Sequence, residues 1–363
     1  MNQLALEALR EAEPARGSAS DRVAVLQMGA ADAGRWDGFL SGCAEASFFH
    51  RAGWKRVIEE AFGHRTHFLF AETGGRIEGV LPLAEIRSLL FGHTLASLPF
   101  CVYGGVAATT DRARRALTDA ACVLAQRLGV GHLELRGREP RNPSWPRNDL
   151  YVTFRKDIDP DPERNLNAIP RKQRAMVRKG IKNGLRSEFD ADVGRFFALF
   201  ADNVHRQGTP ALPKRYFALL RDTFGDDCRV LTVLDPTGTP VSGVLAFYWR
   251  DEVLPYYAGD AVAARALAAN DYKYWELMRD ACERGYRVFD YGRSKRGTGS
   301  FDFKKNWGFE PQPLHYEYLL VRGTRVPENN PLNPKYRLLI GLWKRLPLPL
   351  ANLIGPYVVR NLG

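Results

Sequence analysis

Residues 270–294 read NDYKYWELMRDACERGYRVFDYGRS. The first part carries apolar groups at helical spacing, the run stops at Gly285, and VFDYG at 288–292 has the composition of a strand. The same construction stands earlier, at 111–137: DRARRALTDAACVLAQRLGVGHLELRG, a helix opening on an Asp111 cap, a stop at Gly129 and the strand HLELRG. Gly129 to Leu133-Glu134-Leu135 has the same spacing as Gly285 to Phe289-Asp290-Tyr291. Outward from these segments the match continues. HFLFAE (67–72) and IEGVLPLAE (77–85) flank a Thr-Gly-Gly turn, and RVLTVL (229–234) and VSGVLAFYW (241–249) flank Asp-Pro-Thr-Gly, each pair the pattern of a hairpin. An extended stretch follows each hairpin, ending at Tyr103-Gly104-Gly105 and at YYAGD (256–260). The two helix-stopping glycines lie 156 residues apart, one domain length, so the pattern is a duplicated domain and not a solenoid.

The expected fold is α/β (α+β): two tandem domains, each a mixed sheet flanked by helices. The boundaries read as a poorly ordered N-terminus over 1–20, a first domain over 21–160, a second over 161–321 opened by a basic helix, and a basic amphipathic tail over 322–363. A linker is expected at about 155–168, around the Pro- and Asp-rich run DPDPERNLNAIP. The 363 residues carry 52 Lys and Arg against 41 Asp and Glu, a net charge of +11. Seven basic residues and no acid fall within 171–186, and seven basic residues with one acid, Glu328, within 322–363. The remainder is close to neutral, so the charge marks two confined anion-facing segments, and no DNA partner is expected. Five scattered cysteines without a CxxC pair argue against a disulfide framework or zinc ribbon and fit a reducing cytoplasm. The N-terminal MNQLALEALREAEPARG has acids where a signal peptide needs an apolar core, and no run of about 18 apolar residues exists to span a membrane.

The tandem order of strands, hairpins, glycine-stopped helices and strands resembles the acyltransferase fold of the GNAT superfamily, duplicated as in the FemAB-type peptidyltransferases. The resemblance spans roughly residues 45–320. It rests on SFFHRAGWKRVIEEAFGHR (47–65) with Trp54, on PRKQRAMVRKGIKNGL (170–185), on YYAGD, on the stretch at 270–294 and on GSFDFKKNWGFEP (299–311). The tail NPLNPKYRLLIGLWKRLPLPLANLIGPYVVRNLG is similar to that of FemAB-related proteins associated with exosortase/PEP-CTERM and exopolysaccharide clusters. The resemblance implies transfer of an aminoacyl group from aminoacyl-tRNA, or of an acyl group from acyl-CoA, onto an amine of a lipid-linked cell-wall or exopolysaccharide precursor. It implies no permanently bound cofactor.

Acyl transfer needs a neutral amine, an acceptor for its proton and donors for the developing oxyanion. No Gly-x-Ser-x-Gly elbow and no HExxH occur, and His64 and His67 lack a nearby third ligand, so neither a covalent serine nor a metal is expected. The resemblance places a functional lysine at Lys304, which could supply charge to a phosphate or oxyanion or lie solvated beside Lys305. Asp290 could hold the nucleophile's proton, orient Arg293 or cap the Gly292 turn. Tyr257 could donate to a carbonyl or be core. Trp54, Tyr103 and Arg293 complete the substrate-contact candidates. In the basic helix, Arg171, Lys172, Arg174 and Arg178 could grip phosphates of tRNA or of a diphosphate-linked acceptor; with no acid in the run, pairing within it is impossible.

Ordinary acetyl-CoA enzymes place Arg/Gln-x-x-Gly-x-Gly/Ala before the helix that follows the fourth strand, to cradle pyrophosphate. Here that stretch is Arg265-Ala266-Leu267-Ala268-Ala269-Asn270, without the glycines and with Asn270 reading as a helix cap. Acyl-CoA-dependent N-acyl transfer therefore stands second to aminoacyl transfer, and a non-catalytic polyanion-binding module third. Residues 331–363 mix aromatic, apolar and basic groups and suit peripheral contact with a membrane's inner face, or packing on the first domain.

Overall fold

The computed structural model describes residues 22–88, 92–326 and 340–361; the expected N-terminal segment and the 327–339 part of the tail lie outside the described residues. In chain order the strands of the first half are β1 (Ala24–Gln27), β2 (Arg65–Thr73), β3 (Arg76–Ser88), β4 (Gly92–Ser97), β5 (Ala107–Ala108), β6 (His132–Gly137), β7 (Arg147–Asn148) and β8 (Tyr151–Asp157). Then come β9 (Arg186–Asp190), β10 (Cys228–Leu234), β11 (Pro240–Trp249), β12 (Glu252–Asp260), β13 (Val288–Lys295), β14 (Pro311–Pro313) and β15 (His315–Leu320). The helices of the first half are α1 (Ala33–Gly42), α2 (Trp54–Phe62) and α3 (Asp111–Leu128). Those that follow are α4 (Pro162–Ala168), α5 (Arg171–Lys182), α6 (Gly194–Gln207), α7 (Lys214–Phe224), α8 (Ala264–Leu267), α9 (Ala269–Glu283), α10 (Gly299–Asn306) and α11 (Leu348–Val359).

The first sheet runs β1-β2-β3-β4-β6-β15-β7, with β5 on β3, and the second β9-β10-β11-β12-β13-β8-β14. The two orders correspond strand for strand. Each starts with four antiparallel strands and then makes one parallel step, β4 to β6 or β12 to β13. A parallel step needs a crossover, and α3 and α9 supply the two. In α3, Ala113, Leu117, Ala121 and Ala125 recur every fourth residue and are buried. Gly129 and Gly285 take φ of 62° and 83°, as the stop signals predict. Two expected caps shift: the Thr110 side chain, not Asp111, accepts from Ala113 N–H, and α9 begins ahead of Asn270, after Ala268 at φ 61°.

The expected boundaries are corrected at both ends. β8, read as the end of the first domain, pairs with β13 in the second sheet, and β15, read as part of the second domain, pairs with β6 in the first. The segment read as linker contains the end of β8 and all of α4. Each sheet therefore fills its sixth place with a strand from the other expected unit. The cores interlock likewise. Phe48, Phe49 and Trp54 pack with Phe224 and Phe247, and the Phe48 and Phe247 rings stack at 4.3 Å. Fully burying one such side chain contributes about 1.5–3 kcal/mol, so the junction is a stability element in its own right.

Candidate functional site

The parallel steps open. β12 and β13 pair only at Glu252–Val288 and Val253–Phe289, and then part. Pro255 has no N–H to donate, and the β11–β12 register slips at Leu245/Ala246, leaving Tyr256 bulged. On β13 the register with β8 slips between Asp290 and Arg293, a second bulge facing the first. A segment of the first half, 98–104, spans the opening. The Tyr256 hydroxyl donates to Phe100 O (2.8 Å), the Tyr316 hydroxyl to Val102 O (2.8 Å), and Arg136 Nη1 to Cys101 O (2.9 Å). Leu98 and Phe100 take positive φ of 49° and 66°, conformations that the surrounding bonds hold in place.

Tyr103 ends this segment against Asp290. Its hydroxyl donates to Asp290 Oδ2 (2.9 Å) and lies 2.8 Å from Thr153 Oγ1, which donates to Asp290 Oδ1 (3.1 Å); Gly292 N–H donates to the same oxygen (2.7 Å). Asp290 is fully buried, and Arg155 Nε lies 4.0 Å from its Oδ2. Burial, then the Asp290 carboxylate, push the Tyr103 phenol well above its ordinary range, so it stays protonated. Lys304 stands behind the bulge. Its Nζ donates to the carbonyls of Tyr291 (2.7 Å), Gly292 (3.0 Å) and Arg293 (3.1 Å). Burial pulls its pKa down to about 7, although three carbonyl acceptors match the three N–H bonds of an ammonium.

A cavity of about 140 Å³ opens on the other side of Tyr103, smaller than the several hundred Å³ typical of sites for drug-sized ligands. Gly104 and Gly105 form one wall, where a Cβ on Gly105 would stand 2.9 Å from Arg136 O. His50 holds this wall. Ser47 N–H donates to its Nδ1 (3.1 Å), which fixes the proton on Nε2, and Nε2 donates to Gly105 O (2.9 Å). Burial lowers its pKa to about 4, so it is a neutral strut. The guanidiniums around the cavity differ in how they are satisfied. Arg136 bonds Glu134, and Arg141 bonds Glu45 and Glu139. Arg114 is held between two carboxylates, its Nη2 bonding Glu45 (2.8 Å) and its Nε lying 3.8 Å from Asp111 Oδ1, and its Nε and Nη1 are buried. Arg138 lies over the Tyr103 ring at 5.5 Å. Glu317 accepts the Arg141 and Asn142 amide N–H groups (2.9 Å each), so its charge is already used. Arg138, which among the described residues meets only the Tyr103 ring, is thus the cation on the cavity with capacity for an anionic group.

The structure brings together Tyr103, Asp290, Lys304 and Arg293 of the sequence candidates, with corrections. Lys304 acts on the backbone and does not line the cavity. Asp290 caps the Gly292 turn and makes no bond to Arg293, whose Nη1 lies 3.3 Å from the Tyr316 hydroxyl and whose guanidinium lies over Tyr151 (4.8 Å). Tyr257 is elsewhere: its hydroxyl meets that of Tyr216 at 3.0 Å among Phe200 and Phe217. Trp54 is fully buried, its indole N–H donating to Phe48 O, and touches no site. Arg171, Lys172, Arg174 and Arg178 stand on α5, away from the cavity; Arg174 donates to Asn167 O, and α5 buries only Val177 and Gly180. Sequence reasoning missed His50, Arg114 and Arg138. The available signals were the histidine in SFFHR and the run REPR (138–141) directly after HLELRG.

Residues 171–305 match the family model described as "Acetyltransferase (GNAT) domain". No curated protein matches the chain. Among solved structures, FemX is similar with a TM-score of 0.64 at 15% identity, covering 82% of this chain and 97% of that one. The C-terminal domain of a putative lysylphosphatidylglycerol synthetase from Agrobacterium fabrum gives 0.55 at 14%, covering 81% and 93%. A tandem GNAT protein from the clavulanic acid biosynthesis pathway gives 0.51 at 14%, covering 85% and 100%. The chain has a tandem GNAT-like fold, and the match over its second half makes it an enzyme of the acyltransferase class.

Proposed function

We propose that the protein transfers an aminoacyl group from a charged tRNA onto an amine of a lipid-linked cell-wall or exopolysaccharide precursor, at the junction of Tyr103 and Asp290. The observation that carries this reading is that Tyr103 joins a cavity bearing the uncommitted guanidinium of Arg138 to a buried carboxylate. Arg138 holds an anionic group of the acceptor. The acceptor amine attacks the acyl carbonyl, the N–C bond forms, and the ester C–O bond to the tRNA breaks. The amine's proton passes by way of the Tyr103 hydroxyl towards Asp290, and the leaving hydroxyl takes up a proton. Lys304 is a positioning residue that holds the carbonyls of the β13 bulge. The exposed cations of α5 fit the tRNA backbone.

The likeness to FemX and to the synthetase domain supports aminoacyl transfer onto cell-wall or lipid acceptors. Against acyl-CoA as donor stands the filled opening between β12 and β13, occupied by 98–104. A donor competition tests the choice: charged tRNA and acyl-CoA pools are supplied together with extracted lipid-linked glycans, and products are weighed by mass spectrometry. An aminoacyl mass increment supports the reading; an increment drawn only from acyl-CoA overturns the tRNA donor.

A further inference from the structure

Nine large hydrophobic residues are exposed among the described residues, and five of them, Leu342, Leu350, Leu353, Ile354 and Tyr357, lie within sixteen positions of each other at the end of the chain. Four belong to α11, whose side chains are arranged inside out. Small residues, Ala351 and Gly355, face the protein; a Cβ on Gly355 would stand 3.2 Å from Ala211 O. The large ones point away: Leu353 and Tyr357 are 67% and 69% exposed. Positions 350, 353, 354 and 357 follow helical spacing, so they form one continuous stripe. A helix at a water-facing surface presents its polar residues outward. Between 340 and 361 there is no acid, and Lys344, Arg345 and Arg360 are exposed just before and just after the helix.

The helix is anchored, which makes its outer face a defined surface. His64 Nε2 donates to Arg360 O (2.7 Å), joining α11 to the first half, while Gly355 rests on Ala211 in the second. The His64 ring stacks with Phe62 and, at 6.5 Å, with Phe100, which belongs to the segment ending at Tyr103. No helix of the described residues is long and apolar enough to cross a membrane.

We propose that the outer face of α11 docks on an anionic bilayer, with Leu350, Leu353, Ile354 and Tyr357 at the acyl boundary and Lys344 and Arg345 on the headgroups. An apolar stripe alone would suit any apolar partner; the exposed Lys344, Arg345 and Arg360, with no acid between 340 and 361, select an anionic lipid surface. The docking is argued from α11 itself and stands apart from the transfer reading, although a lipid-linked acceptor would gain from it.

The full chain is sedimented with phosphatidylcholine vesicles containing phosphatidylglycerol and with vesicles of phosphatidylcholine alone. It is expected to bind the first much more tightly. Leu353→Glu with Ile354→Glu should weaken binding at least about tenfold, and Lys344→Gln with Arg345→Gln about thirtyfold. All four positions are exposed, and unchanged thermal melts establish that the variants fold. Equal binding to both vesicle types, or wild-type binding by Leu353→Glu with Ile354→Glu, overturns the proposal. So does a dimer that this double variant dissociates, because the face then belongs to a second copy. Transfer to a water-soluble, chain-truncated acceptor should be unaffected by the double variant, which separates a failure of docking from a failure of the catalytic reading.

Discussion

Asp290 receives three hydrogen bonds, and only that from Tyr103 connects it to the cavity. Tyr103→Phe removes the hydroxyl and keeps the ring under Arg138; transfer should fall about a hundredfold in kcat, with the acceptor KM little changed. Arg138→Gln should do the converse, raising the acceptor KM at nearly constant kcat. Steady-state kinetics on both variants checks the division of roles. Lys304 yields a different kind of prediction. Its ordinary pKa is near 10.5 and burial brings it to about 7. Below about pH 7 the amine is charged in folded and unfolded chains alike. Above that, the unfolded chain keeps its proton while the folded one releases it, so this residue makes stability rise between about pH 7 and pH 10. Denaturant titrations across that window should show the rise in the wild type and its loss in Lys304→Met. Asp290 and Tyr103 drew notice in the sequence because each stands within two residues of a glycine, in VFDYG and in Tyr103-Gly104-Gly105. The burial of Lys304 behind three carbonyls was not legible, because it depends on a bulge that no spacing rule predicts.

The glycine-stopped helices and the hairpins were the most legible elements, since periodicity and left-handed stops act locally. Where the reading slipped, the determining contact is distant. Ala268 and not Asn270 precedes α9, and the run read as a linker is mostly strand and helix. The cavity wall depends on a similar non-local contact. Gly105 approaches the Arg136 carbonyl too closely for a side chain, so Gly105→Ala should displace the wall, lower the melting temperature and weaken acceptor binding together. Thermal melts alongside a binding titration would register both effects.

At the scale of the molecule, the exchange of β8 and β15 between the sheets was illegible, because a strand's sequence does not state its partner. The exchange makes the two halves mutually dependent, and the Phe48–Phe247 stack adds a shared core. Calorimetry should therefore give a single unfolding transition, with separate transitions for the two sheets as the contrary result. Trp54, read as a substrate contact, belongs to this shared core, and Trp54→Ala should cost about 3–5 kcal/mol of stability. The uneven charge also resolves at this scale into an exposed basic helix, α5, and the basic segment 340–361 that contains α11, neither of which lines the cavity, whose own carboxylates are nearly all paired. The most direct measurement is the mass of the product formed from extracted lipid-linked glycans by the wild type and by Asp290→Asn. Transfer at the Tyr103–Asp290 junction predicts an aminoacylated glycan from the wild type and at least about a hundredfold less from the variant; equal yields from the two would contradict it.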